Sequence, residues 1–342
     1  MGLNGSNFID ACYARNKGTI PVWIMRQAGR YLPEYRSVRE KASFLELCRS
    51  PQLIAEVVRQ PMVRFDLDAA ILFSDILTVL PPMGVSIDFP EGGPVISPVI
   101  SGPEDVDRLR DYDVVRELPF VFDGIREIKK NIPDKPLIGF AGSPFTLACY
   151  LIEGQGSKHF NKAKSFLHRY PQASEKLIDL LSDITAKYLT AQVDAGADAV
   201  KIFESWGGIL SQNDFLRRSA DPVSRIFASL KDKGVPRILF VNNIAPYLSI
   251  VRDIDCEVVG VDYRVDLAEA AAALPGKAIQ GNLDPAALFG SPEHVADCTR
   301  RILDSVGDHD RFIFNLGHGI LPATPLESVH ALVKTVHGYR TS

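Results

Sequence analysis

Two arginines stand four residues apart in the run Arg26-Gln27-Ala28-Gly29-Arg30, and Arg36 and Arg39 follow closely. Guanidinium stays charged at physiological pH and grips carboxylate or phosphate through paired hydrogen bonds. Such a cluster suits a polyanionic small molecule; the plainer alternative is a solvated surface set paired with Glu34 and Glu40. Asp75 closes the apolar run Ala69-Ala70-Ile71-Leu72-Phe73-Ser74. A carboxylate at the end of a buried strand must be paired, hydrogen-bonded or functional, and capping the next loop's amides is the structural option. His318 sits between Gly317 and Gly319. It could serve as a base, a hydrogen-bond donor, a metal ligand or a simple polar contact, and its glycine neighbours imply that something approaches the backbone closely. No second histidine or cysteine stands at metal-ligand spacing. His330 and His337 read as helix-surface residues.

These residues need a scaffold that gathers them. Short apolar runs at 22–25, 70–73, 137–140, 199–203, 238–241, 258–261, 278–280 and 312–314 alternate with stretches of helical period. In 173–193, Leu177, Leu181, Ile184 and Tyr188 share one helix face, with Gly196 as the stop. Ser291-Pro292-Glu293 reads as an N-cap, a first-turn proline and an acidic first turn. Thr324-Pro325 opens the last helix, with Val329, Leu332, Val333 and Val336 facing inward. Eight strand–helix units predict a single-domain (β/α)8 TIM barrel over residues 1–342. An open doubly wound sheet is the alternative, but no G-x-G-x-x-G follows the first strand. Segment 79–100 breaks the alternation and predicts a β-hairpin inserted after strand 2, around Pro90-Glu91-Gly92-Gly93-Pro94. It either shapes the site or decorates the surface.

Barrel enzymes work at the C-terminal ends of their strands. Those positions hold the arginine loop, Ser74-Asp75, Gly142-Ser143-Pro144-Phe145-Thr146 with Tyr150 and Glu153 beyond, and Glu204-Ser205-Trp206-Gly207-Gly208. They continue with Asn242-Asn243, Asp262-Tyr263-Arg264, Asn282-Leu283-Asp284 and Asn315-Leu316-Gly317-His318-Gly319. Polar residues and glycines gather at this one rim.

The 342 residues are 46% apolar with a formal net charge of −4. No global positive field exists to attract nucleic acid or an anionic membrane. The five scattered cysteines, Cys12, Cys48, Cys149, Cys256 and Cys298, form no C-x-x-C pair and predict a reducing compartment. The polar N-terminus and the absence of a long apolar run predict a soluble cytoplasmic chain without membrane contact.

The run Pro21-Val22-Trp23-Ile24-Met25-Arg26-Gln27-Ala28-Gly29-Arg30-Tyr31-Leu32-Pro33-Glu34-Tyr35-Arg36 resembles the N-terminal signature of the uroporphyrinogen decarboxylase family. Gly139-Phe140-Ala141-Gly142-Ser143-Pro144-Phe145-Thr146-Leu147-Ala148-Cys149-Tyr150-Leu151-Ile152-Glu153-Gly154 resembles its second signature. Phe73-Ser74-Asp75-Ile76-Leu77, Phe203-Glu204-Ser205-Trp206-Gly207-Gly208 and Asn315-Leu316-Gly317-His318-Gly319 fit the same family, in order. Phe145 stands where members often carry Trp, and Glu204 where bacterial members often carry Asp.

The resemblance implies a distorted (β/α)8 barrel, a homodimer with facing clefts, and conversion of uroporphyrinogen III to coproporphyrinogen III with no cofactor. It implies substrate contacts by Arg26, Gln27, Ala28, Gly29, Arg30, Asp75, Tyr150, Ser205 and His318, with Arg39 and Phe203 as lesser additions. It gives Asp75 and Arg26 catalytic roles. Asp75 would accept the pyrrole N–H groups, and Arg26 would be the acid. Guanidinium is nevertheless a poor proton donor, so a relayed water or a substrate carboxyl rivals it. Two other activities compete. Zinc-dependent cobalamin methyltransferases share the superfamily but need a His-x-Cys pair, which this sequence lacks. A non-catalytic tetrapyrrole binder would need the arginines but not Asp75.

Overall fold

A computed structural model describes residues 6–90 and 92–340. The core is a parallel sheet whose strands are β1 (Ala70–Ile71), β4 (Leu137–Gly142), β5 (Ala199–Glu204), β6 (Arg237–Val241), β7 (Val258–Val261), β8 (Ala278–Leu283) and β9 (Phe312–Leu316), each beside the next. Strands β4 to β9 are buried along their whole length. That burial explains why they read as continuous apolar runs and not as alternating ones. Two shorter strands, β2 (Ser86–Asp88) and β3 (Val95–Ser97), pair antiparallel outside the sheet, Ser86 opposite Ser97.

The first expected strand, 22–25, is reduced to one bridge, Val22 to Phe314. The cause is local: Gln27 Oε1 takes the Ile24 amide at 3.2 Å and Asn315 Oδ1 takes the Met25 amide at 3.0 Å. Side chains intercept the donors that a ladder would use. The segment still bridges the two edges of the sheet. Phe314 N donates to the Pro21 carbonyl and Trp23 N to the Phe314 carbonyl, while Asp68 N donates to the Val22 carbonyl on the way into β1. The barrel is therefore distorted where the arginine loop begins.

Helices surround the sheet. The longest, Pro171–Ala195, has proline in its first turn and stops at Gly196, whose φ of +119° suits glycine. It starts two residues before and ends two after the 173–193 stretch of helical period. Pro292–Ser305 is capped by the Ser291 hydroxyl, as its Ser-Pro-Glu start predicts. His337 is not a plain surface residue: its Nε2 lies 2.9 Å from Asp68 Oδ2, which also accepts the Val22 amide at 2.8 Å. This contact pins the last helix, Leu326–Gly338, to the first barrel segment.

Candidate active site at the barrel mouth

The loop after Val22 turns sharply. Arg26 sits in the left-handed region at φ +67°, a conformation that costs a non-glycine residue roughly 1 kcal/mol. Gly319 makes room for its side chain: a Cβ there would lie 2.5 Å from Arg26 Cδ and 3.0 Å from Cγ. The two expected contact residues Arg26 and His318 are thus brought to one place by a backbone approach that only glycine permits. Arg26 and Arg30 are exposed, and neither guanidinium has a hydrogen bond or ion pair among the described residues. Arg36 is used differently: its Nη1 donates to the Arg30 and Tyr31 carbonyls at 2.9 and 3.2 Å, shaping the loop. Glu34 pairs with Arg64 and leaves the cluster unneutralised. Arg39 donates to the Ala42 carbonyl and lies against the Phe44 ring.

Gln27 is placed otherwise than a substrate-contacting side chain would be. It is buried, and its Nε2 donates to the Ala69 carbonyl at 3.2 Å. Its side chain knits the loop into the core, and its main chain is engaged too: the Gln27 amide donates to the Ile24 carbonyl and its carbonyl accepts the Tyr31 hydroxyl, both at 2.8 Å. Ala28 and Gly29 are half-buried, consistent with a backbone face at the cleft.

Asp75 is half-buried just past β1, and its Oδ1 accepts the Leu77 amide at 2.8 Å. Burial raises its carboxyl above the ordinary value, against the opposing pull of that amide and of Arg26. Tyr150 projects from the Pro144–Glu153 helix and its phenol is likewise raised, first by burial. Asp75 raises it further and Arg26 lowers it, which puts both charged groups in its surroundings. His318 is depressed to about 4, by burial first and then by repulsion from Arg26 and Arg264. Its imidazole is neutral at pH 7. Phe203 is buried, packed between Phe140 and Phe240, and the Phe240 ring faces His318 at 6.5 Å.

The position of Ser205 depends on its neighbour Glu204, which the sequence places at the rim as a family variation without giving it a role. Glu204 is fully buried. It accepts the Ser143, Thr146 and Ser219 hydroxyls and the Trp206 and Gly207 amides. Thr146 Oγ1 in turn accepts the Ser205 amide at 2.9 Å. One carboxyl thus fastens the start of the Pro144–Glu153 helix to the loop after β5. Trp206 then packs on Phe160 and Tyr150, at 4.5 and 6.2 Å between ring centroids.

Beneath the aromatic layer lies Lys201, 1% exposed, with its Nζ 4.7 Å from the Trp23 ring centroid, 4.9 Å from Phe203 and 5.3 Å from Phe240. It has no acceptor among the described residues, and burial lowers its ammonium to about 7. The strands β2 and β3 reach toward the arginine side of the mouth. Phe89 packs on Phe44 at 4.8 Å, Phe44 on Phe73 at 5.9 Å, and Ile96 N donates to the Gly154 carbonyl at 2.7 Å. A separate cleft of about 1150 Å³, lined by Glu34, Arg59 and Glu127 among others, opens on the helical exterior and takes in none of Arg26, Arg30, Asp75, Tyr150, Ser205 or His318. Among the described residues, no three His, Cys, Asp or Glu side chains converge as a metal cage would require, and no helix is long and apolar enough to cross a membrane.

Comparison with known proteins bears on this geometry. Among solved structures, the chain is similar to a methyltransferase from Methanosarcina mazei, with TM-score 0.82, 20% identity and 98% of each chain covered. A B12-independent methionine synthase from Shewanella gives TM-score 0.60 at 12% identity over 94% of this chain and 96% of that one. Both likenesses establish the barrel fold alone. In sequence, the chain is 45% identical over 333 residues to the uroporphyrinogen decarboxylase of Pelobacter propionicus, covering 97% of this chain and 98% of that protein. It is 44% identical over 362 residues to the uroporphyrinogen decarboxylase of an Acidovorax species, covering 99% and 98%. The family model described as uroporphyrinogen decarboxylase (URO-D) matches residues 4–339. By motif order, barrel architecture and near-complete alignment alike, this chain belongs to the uroporphyrinogen decarboxylase family.

Proposed function

We propose that this chain removes the four acetate carboxylates of uroporphyrinogen III, giving coproporphyrinogen III and four carbon dioxide molecules without a cofactor. The observation that supports it best is one carboxyl, Asp75, recessed at the mouth within the field of the unpaired Arg26. Each decarboxylation must hold an electron pair as carbon dioxide leaves, and most decarboxylases borrow a cofactor as the sink. A pyrrole is its own sink. A proton added to the pyrrole α-carbon next to the acetate-bearing ring carbon makes the ring cationic and leaves the acetate-bearing position electron-poor. The arm's C–C bond then breaks toward that cation, carbon dioxide departs, and a proton on the exocyclic carbon completes the methyl group as the ring proton is returned. The net uptake is one proton per carboxylate.

The residues divide this work. Arg26 and Arg30 hold carboxylate arms, with Tyr150, Ser205 and His318 binding further carboxylate oxygens and the Ala28 and Gly29 main chain lining the mouth. Asp75 accepts hydrogen bonds from pyrrole N–H groups and stabilises the positive charge that develops on the ring. A preplaced charge in a shielded cleft contributes several kcal/mol to such a step. His318, depressed by burial and by Arg26 and Arg264 in the ligand-free site, is assigned to carboxylate binding as a hydrogen-bond donor. A relayed water or a substrate carboxyl supplies the proton, because a guanidinium holds its proton too tightly near neutrality to give it up readily.

The same reading makes residues 1–342 one domain, the working unit a homodimer and the location cytoplasmic. Anaerobic incubation with uroporphyrinogen III, followed by oxidation and separation by carboxylate number, tests the activity. Stepwise hepta-, hexa-, penta- and tetracarboxylate products are expected. An unchanged octacarboxylate from folded protein would turn attention to methyl transfer or simple tetrapyrrole binding.

A further inference from the structure

The end of β7 carries a guanidinium that the arginine loop does not account for. Asp262 is fully buried, and its Oδ2 accepts the Ile244 amide at 3.0 Å while its Oδ1 accepts the Arg264 amide at 3.0 Å. The same Oδ1 takes Arg264 Nη1 at 3.1 Å. Arg264 Nη1 also reaches Asn242 Oδ1 at 3.3 Å, and its Nη2 donates to the Tyr263 hydroxyl at 2.7 Å. The guanidinium lies over the Tyr263 ring, 4.3 Å from its centroid. One edge of the fork is therefore fixed by three neighbours, yet the side chain remains 46% exposed. A guanidinium oriented in this way has already given up the rotamer freedom that binding would otherwise cost.

Its place is the mouth. Asp262, Tyr263 and Arg264 follow directly on a barrel strand, at the rim where such folds do their chemistry. The His318 loop is pressed onto this turn, since a Cβ at Gly317 would overlap the Tyr263 backbone. The imidazole also feels the positive fields of both Arg26 and Arg264, which help to depress it. His318 thus lies in the field of two guanidiniums, one on the loop after the first barrel segment and one on the turn after β7. A ligand with eight carboxylates needs more positive partners than Arg26 and Arg30 supply.

We propose that Arg264, braced by Asp262, Asn242 and Tyr263, is a further substrate-binding residue that grips one carboxylate arm of the tetrapyrrole beside His318. This rests on the proposed activity, and the test separates the two. Arg264→Gln and Arg264→Lys would be compared with the unaltered chain for KM and kcat on uroporphyrinogen III. Direct binding of the oxidised octacarboxylate porphyrin would be followed by fluorescence at low and high salt.

The expected result is a roughly tenfold weaker KM and porphyrin binding in Arg264→Gln, kcat within about twofold, a shallower salt dependence, and an intermediate loss in Arg264→Lys. Binding and KM within twofold of the unaltered chain in folded Arg264→Gln overturn the assignment. If Arg264→Gln fails to fold, Arg264→Lys decides: at least a threefold loss supports the grip on carboxylate, and an unchanged KM and binding constant refute it. Absence of turnover by the unaltered chain sinks the activity, whereas the porphyrin binding comparison still reports on Arg264.

Discussion

Lys201 offers a quantitative test of how the barrel interior is built. A buried amine without an acceptor is held near pKa about 7, down from 10.5. The unfolded chain keeps that proton up to the ordinary lysine value, whereas the folded chain releases it near neutrality. Between about pH 7 and 10.5 the unfolded state binds more protons, so the Lys201 contribution makes stability rise with pH across that window. Linkage caps the cost of this residue at roughly 5 kcal/mol below neutrality and about 3 kcal/mol at pH 8. The Trp23, Phe203 and Phe240 rings return about 2 kcal/mol to the charged form, which moves the lower edge of that pH window up from about 7. Lys201→Met keeps the length and apolar stem and deletes the ammonium. It is expected to stabilise the chain by about 1–3 kcal/mol at pH 7, with the gain fading toward pH 10.5. Urea unfolding of both proteins at pH 7, 8.5 and 10 reads this directly. A variant less stable than the original at pH 7, or one whose stability difference does not change with pH, refutes the reasoning.

Two other perturbations follow from contacts described above. Gly319→Ala places a methyl 2.5 Å from Arg26 Cδ and must swing that side chain away; KM for the polycarboxylate is expected to rise about tenfold, since lost charge-assisted hydrogen bonds are worth roughly 1.5–3 kcal/mol, while circular dichroism stays unchanged. An unaltered KM would show that Arg26 does not need this space. His337 is raised above its ordinary value, first by its hydrogen bond to Asp68. Its stabilising contribution is complete below about pH 6.5 and is lost as pH climbs through the elevated folded value. His337→Ala is therefore expected to lower stability by about 1 kcal/mol at pH 5.5 and by less at pH 9. Equal losses at the two pH values in thermal melts would contradict the ion pair.

Much of this site was legible in the sequence, because strand ends can be found from apolar runs and a barrel collects them at one rim. Arg26, Asp75, Tyr150, Ser205 and His318 all follow such runs or their helices. The alternation also located β4 to β9 to within a few residues. What escaped depends on contacts between distant segments. Nothing in the local pattern says that Gln27 turns inward to the Ala69 carbonyl, or that it and Asn315 take the amides a first strand would have used. Glu204 read as a conservative family variation, yet it collects hydroxyls from positions 143, 146 and 219. Arg264 was visible at a strand end but was not singled out, since its bracing by Asn242 and Asp262 is tertiary. Lys201 did leave a signal: a lysine two residues before Phe203, within a buried strand, must share the inward face with it.

The most direct test of the account sets Asp75→Asn beside the unaltered chain in anaerobic turnover of uroporphyrinogen III. The carboxyl stabilises the cationic ring, and an amide of the same size cannot. The unaltered chain is expected to carry the octacarboxylate through to the tetracarboxylate. Asp75→Asn is expected to retain its fold and its porphyrin binding within about tenfold, and to lose at least a hundredfold in rate, the loss of roughly 3 kcal/mol of transition-state stabilisation. Near-normal turnover by folded Asp75→Asn would contradict the role assigned to this residue and, with it, the proposed mechanism.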